Sequence, residues 1–167
     1  LIAQGHNDRA LLVLKVVLDK YPKCAEALFL TGTCHQDLGV MDAGDNEAKS
    51  YYLKAIAIDP NYSHAYRKLA ELQGLEGNFA EQVKLATRAI AGQPPDILAY
   101  RTRAIAYSNL HKDKEALVDI RKFFELHKVF NKYPDYVLKA TMEQNAGCDK
   151  EAVETFEAAR KITPNGD

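Results

Sequence analysis

The sequence has no tryptophan, two methionines and three cysteines. Cys24, Cys34 and Cys148 are odd in number and fit no C-x2-C zinc spacing. They read as free, packed thiols, which suits a reducing, cytoplasmic compartment; a periplasmic or organellar setting stays open. Charge of one sign is lacking too. With 22 basic and 23 acidic residues, the formal net charge is −1. Such a chain forms no long basic stripe to follow a phosphate backbone, so nucleic acid is not expected as a partner. The longest apolar run, Leu11–Leu18, is broken by Lys15. It is far short of the roughly 20 residues that span a bilayer, so no membrane span is expected.

Motifs of catalysis are missing as well. There is no H-E-x-x-H, no G-x-S-x-G and no P-loop glycine pattern. The five histidines, His6, His35, His64, His111 and His127, are scattered, and His6 and His111 fall where turns are expected. Asp42, Asp45 and Glu47 lack calcium-loop spacing and read as a solvated helix start. No catalytic residue, metal site or cofactor is expected, and the chain is read as a non-enzyme.

What the sequence does contain is a repeat. Pro22, Pro60, Pro94 and Pro164 are separated by 38, 34 and 70 residues, the last being about two periods of 35. Ahead of each proline stands a turn signal: Gly5-His6-Asn7, Gly44-Asp45-Asn46, Gly77-Asn78-Phe79 and Gly147-Cys148-Asp149. Gly and Asn accept left-handed backbone angles, and proline ends a helix. Between the marks, apolar residues recur at helical spacing, as in Ala152, Phe156, Ala159 and Ile162. Two helices per unit of about 34 residues follow.

Aligned on the prolines, the first helices place a small residue at Gly32, Ala70, Ala104 and Ala140. The second helices place small residues at Ala10, Ala48, Ala116 and Ala152, with Leu14, Tyr52, Ile120 and Phe156 four later. Leu28, Tyr66, Tyr100 and Tyr136 share a register near the start of the first helices. Small residues let paired helices approach, and large ones fill the space between. Over essentially its whole length the chain resembles the tetratricopeptide repeat. That resemblance implies an all-α, right-handed superhelical solenoid of antiparallel helix pairs. The expected single array divides into a partial repeat over 1–22, a repeat with a short insertion over 23–60, and repeats over 61–94, 95–130 and 131–167.

Some positions depart from the pattern. Gln82 and Ala86 stand where a small and then a large residue are expected, which suggests exchanged volumes, the Gln stem filling space that Ala86 leaves. Arg103 and Lys139 replace an expected Leu, and Lys128 replaces a proline. About four extra residues fall around Leu38–Asp45. The expected helices are Leu1–Gln4 with Asp8–Lys20, Ala25–Asp37 with Asp45–Ile58, Ser63–Leu75 with Ala80–Ala91, Ile97–Leu110 with Lys114–Leu126, and Tyr133–Asn145 with Lys150–Ile162. Asp8–Lys20 is apolar nearly all round, as a sandwiched helix would be, and both ends look cut. The expectation is a segment of a longer protein, or an array closed by self-association.

In this family the first helices line a concave groove that binds a peptide or partner protein. The resemblance therefore implies a groove lined by Phe29, Thr33, His64, Arg67, Glu71, Leu98, Arg101, Ile105, Asn109, Val137 and Asn145. Gln36, Leu75 and Gln144 face the same way. Arg67 and Arg101 share a register, and arginine grips carboxylates with two hydrogen bonds, so an extended or helical segment of acidic character is the expected ligand. Some family members clamp the C-terminal carboxylate of heat-shock proteins. The matching positions here hold Phe29, Thr33, Lys68, Leu98 and Thr102, or one repeat later Arg67, Glu71, Thr102, Pro134 and Leu138, and neither set fits the clamp. The expected function is a protein-interaction scaffold. Assembly through the open solenoid ends, or docking for a larger enzyme, are the alternatives.

Overall fold

The computed structural model describes residues 2–38, 43–127 and 132–162. Among these residues the chain forms nine α-helices and no strand: α1 Ile2–Lys20, α2 Ala25–Leu38, α3 Ala43–Ile58, α4 Ser63–Leu75, α5 Phe79–Ala91, α6 Leu98–Asn109, α7 Asp113–Leu126, α8 Tyr133–Asn145 and α9 Asp149–Ile162. The helices pair in sequence order as α2–α3, α4–α5, α6–α7 and α8–α9, stacked into an all-α solenoid. The expected insertion around 39–42 and Lys128 lie outside the described residues.

The last three pairs are closed by the same backbone device. Gly77 and Gly147 adopt φ of 77° and 78°, in the left-handed region that glycine enters without steric cost. His111 holds the equivalent place in the third pair with φ 56°. The next amide in each case reaches back to the helix end: Asn78 to the Gln73 carbonyl, Lys112 to Tyr107 and Cys148 to Glu143. That arrangement satisfies carbonyls the helix leaves open.

The expected break at Gly5-His6-Asn7 does not occur. α1 runs through it as one helix of 19 residues, so Leu1–Gln4 and Asp8–Lys20 are not separate elements and His6 is helical. Turn residues only permit a turn, and i→i−4 bonding on either side carries the helix across. Nor is α1 sandwiched: Leu12, Val13 and Val16 are 68%, 64% and 69% exposed. Gly44-Asp45-Asn46 likewise sits within α3 rather than before it.

The core follows the small-against-large register. Tyr52 is fully buried over Gly32, where an added Cβ would lie 2.7 Å from its ring. Ile120 is fully buried in the third pair, as is Ala104. Burying a side chain the size of Ile120 contributes about 1.5–3 kcal/mol. Two clusters result. One joins Leu28, Tyr52, Leu69 and Leu72 across α2, α3 and α4; the other joins Ala104, Ile120, Phe123 and Met142 across α6, α7 and α8. Phe156, the equivalent of Tyr52, is 38% exposed on the last pair.

The second pair is built differently. Ala70 and Ala86 are both fully buried, and Gln82 is buried beside them. Its amide lies against Gly74, where an added Cβ would meet Gln82 Nε2 at 2.7 Å. The amide N–H donates to the Thr102 carbonyl at 3.3 Å, tying α5 to α6. The two unexpected cations are also internal. Arg103 donates to both oxygens of Asp119 at 2.6 and 2.8 Å, and Lys139 lies 3.4 Å from buried Glu143.

Candidate concave binding site

The first helices α2, α4 and α6 share one face, because a single cleft of 480 Å³ is lined by residues of all three. Gln36 comes from α2, and Glu71, Gly74 and Leu75 from α4. Arg101, Thr102, Ile105 and Asn109 come from α6, and Phe79 and Gln82 of α5 complete the lining. Six residues expected to face the groove, Gln36, Glu71, Leu75, Arg101, Ile105 and Asn109, thus meet in one place.

The other expected residues lie elsewhere along the array. Phe29 packs its ring 5.4 Å from Tyr62 and 6.0 Å from His64, sealing the joint between the first two full pairs. Thr33 donates its hydroxyl to the Leu30 carbonyl of its own helix. Leu98 is 39% exposed, Val137 is half-buried, and Asn145 is exposed at the end of α8.

Both arginines are already engaged. Arg67 Nε donates to Asp96 Oδ2 at 2.7 Å and its Nη1 to Glu71, and the side chain is 12% exposed. Arg101 Nε donates to Asp135 Oδ1 at 2.7 Å. Each aspartate does two things. Asp96 accepts the Leu98 N–H at the start of α6, and Asp135 accepts the Lys132 N–H at the start of α8. A carboxylate at a helix N-terminus satisfies an open donor and meets the positive end of the dipole. One oxygen therefore caps a helix while the other holds the arginine of the preceding pair.

The electrostatics follow from this geometry. Burial pushes the Asp96 carboxyl up, but the Arg67 charge and hydrogen bonds from His64 and Arg67 outweigh it, leaving the group below the usual carboxylate range. Burial pulls Arg67 down, but Glu71 and Asp96 outweigh it and hold the guanidinium above its ordinary value. Neither arginine is the freely presented cation the sequence suggested. Sequence reasoning could not see the pairing, since the partners lie 29 and 34 residues away with no periodic mark. It also passed over Gly74, Phe79 and Thr102. A signal for Gly74 was present, because its register holds Gln36, Ser108 and Gln144 in the other pairs.

Elsewhere, among the described residues, no group of three His, Cys, Asp or Glu is placed to hold a metal ion. No described helix is long and apolar enough to cross a membrane.

The described helix pairs thus stack into a solenoid with a cleft along its first helices. Residues 51–84 match the family model described as tetratricopeptide repeat. Over 113 residues the chain is 28% identical to anaphase-promoting complex subunit 7 of Arabidopsis thaliana, covering 67% of this chain and 20% of that protein. Over 121 residues it is 29% identical to the Hsp70-Hsp90 organizing protein of Triticum aestivum, covering 72% of this chain and 19% of that protein. The chain thus spans about a fifth of the length of these curated relatives. Among solved structures it is similar to MamA of Desulfovibrio magneticus RS-1, with TM-score 0.73 and 18% identity over 96% of this chain and 88% of that one. It is also similar to a thermophilic tetratricopeptide-repeat protein of Thermus thermophilus, with TM-score 0.66 and 19% identity over 98% and 87% of the two chains. The sequence resemblance is matched by residues 51–84, and the chain shares the fold of tetratricopeptide-repeat solenoids.

Proposed function

We propose that this chain is a protein-interaction scaffold that binds an extended segment of a partner protein along its concave face. One observation carries the reading: a single cleft is lined by the first helices of three successive pairs, so a ligand lying there touches α2, α4 and α6 at once. Two relatives, by their names a subunit of a complex and an organizing protein, support it. The positions of the heat-shock tail clamp hold Phe29, Thr33, Lys68, Leu98 and Thr102, so a different segment is bound here. Binding without catalysis, no nucleic acid and a cytoplasmic setting suited to three free thiols complete the proposal. The test selects displayed random 12-residue peptides on the purified chain and maps a bound one by hydrogen exchange. Protection concentrated on α2, α4 and α6 is the expected result. Protection of α3, α5 and α7 alone would move binding to the convex face and sink the groove reading.

A second reading, self-association, is favoured by α1. Leu12 and Val16 are exposed where the second helices α3 and α5 hold Ser50 and Lys54, or Lys84 and Arg88. An exposed apolar face of this kind is suited to a second copy. Sedimentation at rising concentration would show a dimer that Leu12→Ser/Val16→Lys removes. A monomer throughout excludes it.

A further inference from the structure

The cleft expected to be cationic is electrically balanced. Around it Arg67, Lys68 and Arg101 stand against Glu71, Asp96 and Asp135, three charges of each sign, and every one of the six is in an ion pair. A charged ligand group entering here would lose its water and find no uncompensated opposite charge. Charge complementarity therefore points to an uncharged ligand.

What the cleft does offer is an apolar wall. Leu75 is 76% exposed at a register where the other three pairs carry Asp37, Asn109 and Asn145. Phe79 and Ile105 stand with it in the cleft lining. Its floor is Gly74, the one residue of its register without a side chain, with the Gln82 amide lying against it. On the rim, two amides are half spent in complementary ways. The Tyr52 hydroxyl donates to Gln36 Oε1, which leaves the Gln36 NH2 to donate. The Asn109 NH2 donates to the Ile105 carbonyl, which leaves Asn109 Oδ1 to accept. A donor on α2 and an acceptor on α6 are what the C=O and N–H of a peptide backbone require.

We propose that the cleft over Gly74 is the anchor pocket of the groove, taking one large uncharged apolar side chain of an extended peptide while Gln36 and Asn109 bond its backbone. The proposal rests on the groove reading above and gives it a ligand chemistry. The acidic segment expected from the paired arginines is replaced by an apolar one.

The experiment uses the whole chain and peptides selected from a random linear 12-residue library, resynthesised with acetylated and amidated ends. Binding is read by fluorescence polarisation. The expected peptides share one Leu, Met or Phe, and its replacement by Ala weakens binding about tenfold or more, the loss expected for removing a buried apolar side chain. On the protein, Leu75→Asn, the residue of the third and fourth pairs, is expected to weaken binding about tenfold. Gly74→Ser/Gln82→Ala recreates the third pair's Ser108 and Ala116, replaces the pocket floor, and is expected to give a similar loss. If the double variant does not fold, Leu75→Asn decides alone, since that side chain is solvent-exposed. Enriched peptides that bind on α2, α4 and α6 but carry a charged motif, or that ignore Leu75→Asn, overturn the anchor pocket and leave the groove. A library that yields no binder overturns both.

Discussion

The Arg103–Asp119 pair sits where the second helix pair holds Leu69 and Leu85. Asp119 is 5% exposed and Arg103 18%, and two hydrogen bonds join them. Arg103 also donates to the Thr87 hydroxyl at 3.0 Å. Arg103→Leu strands a buried carboxylate. If Asp119 stays charged, losing its partner costs about 3–5 kcal/mol. Arg103→Leu/Asp119→Leu instead rebuilds the Leu69–Leu85 arrangement, and its stability is expected within about 1 kcal/mol of the parent or above it. Urea unfolding at pH 7, followed by helical circular dichroism, measures all four corners of the cycle. The expected coupling is about 3 kcal/mol. A cost under about 1 kcal/mol for Arg103→Leu, or a double variant as weak as the sum of the singles, would overturn the argument.

Other outcomes follow from the same packing. The folded-state pKa of Asp96 lies below the usual carboxylate range, so its contribution is present at neutral pH and lost as pH falls through that lowered value. Asp96→Asn should flatten the acid limb of the stability profile and cost about 1.5–3 kcal/mol at pH 7, read by thermal melts across pH. Gly32→Ala drives a Cβ to 2.7 Å from the buried Tyr52 ring and should cost about 1–3 kcal/mol. Gly77→Ala meets nothing within 4 Å but must hold φ 77°, so about 1–2 kcal/mol is expected from backbone strain alone. Burial, with the Asp37 charge adding to it, pushes the Cys34 thiol up, so a thiol reagent should modify Cys34 more slowly than Cys24 and Cys148.

Local patterns proved readable where one residue decides. Ser63–Leu75 and Tyr133–Asn145 match the expected helices at both ends, because apolar spacing and flanking turns agree there. Gly5-His6-Asn7 misled for the opposite reason: its composition permits a turn, while the helix on both sides prevents one. The site was harder to read. The groove register of Arg67 and Arg101 was visible, but their bonds to Asp96 and Asp135 depend on how successive pairs stack. The two aspartates do not even share a register, since Asp96 aligns with Lys132 rather than with Asp135. Gln82 announced itself as too large for its place. Only the neighbouring helix could show that Gly74 makes the room.

The arginine–aspartate bonds also act as mechanical joints. Each fastens a first helix to the start of the next, but the two differ in shelter. Arg67 and Asp96 are 12% and 3% exposed, whereas Arg101 and Asp135 are 39% and 14% exposed. Salt screens the open bond and hardly reaches the closed one. Of these two joints, the one between α6 and α8 is therefore the more sensitive to ionic strength, and the one between α4 and α6, beside the cleft, is the better sheltered.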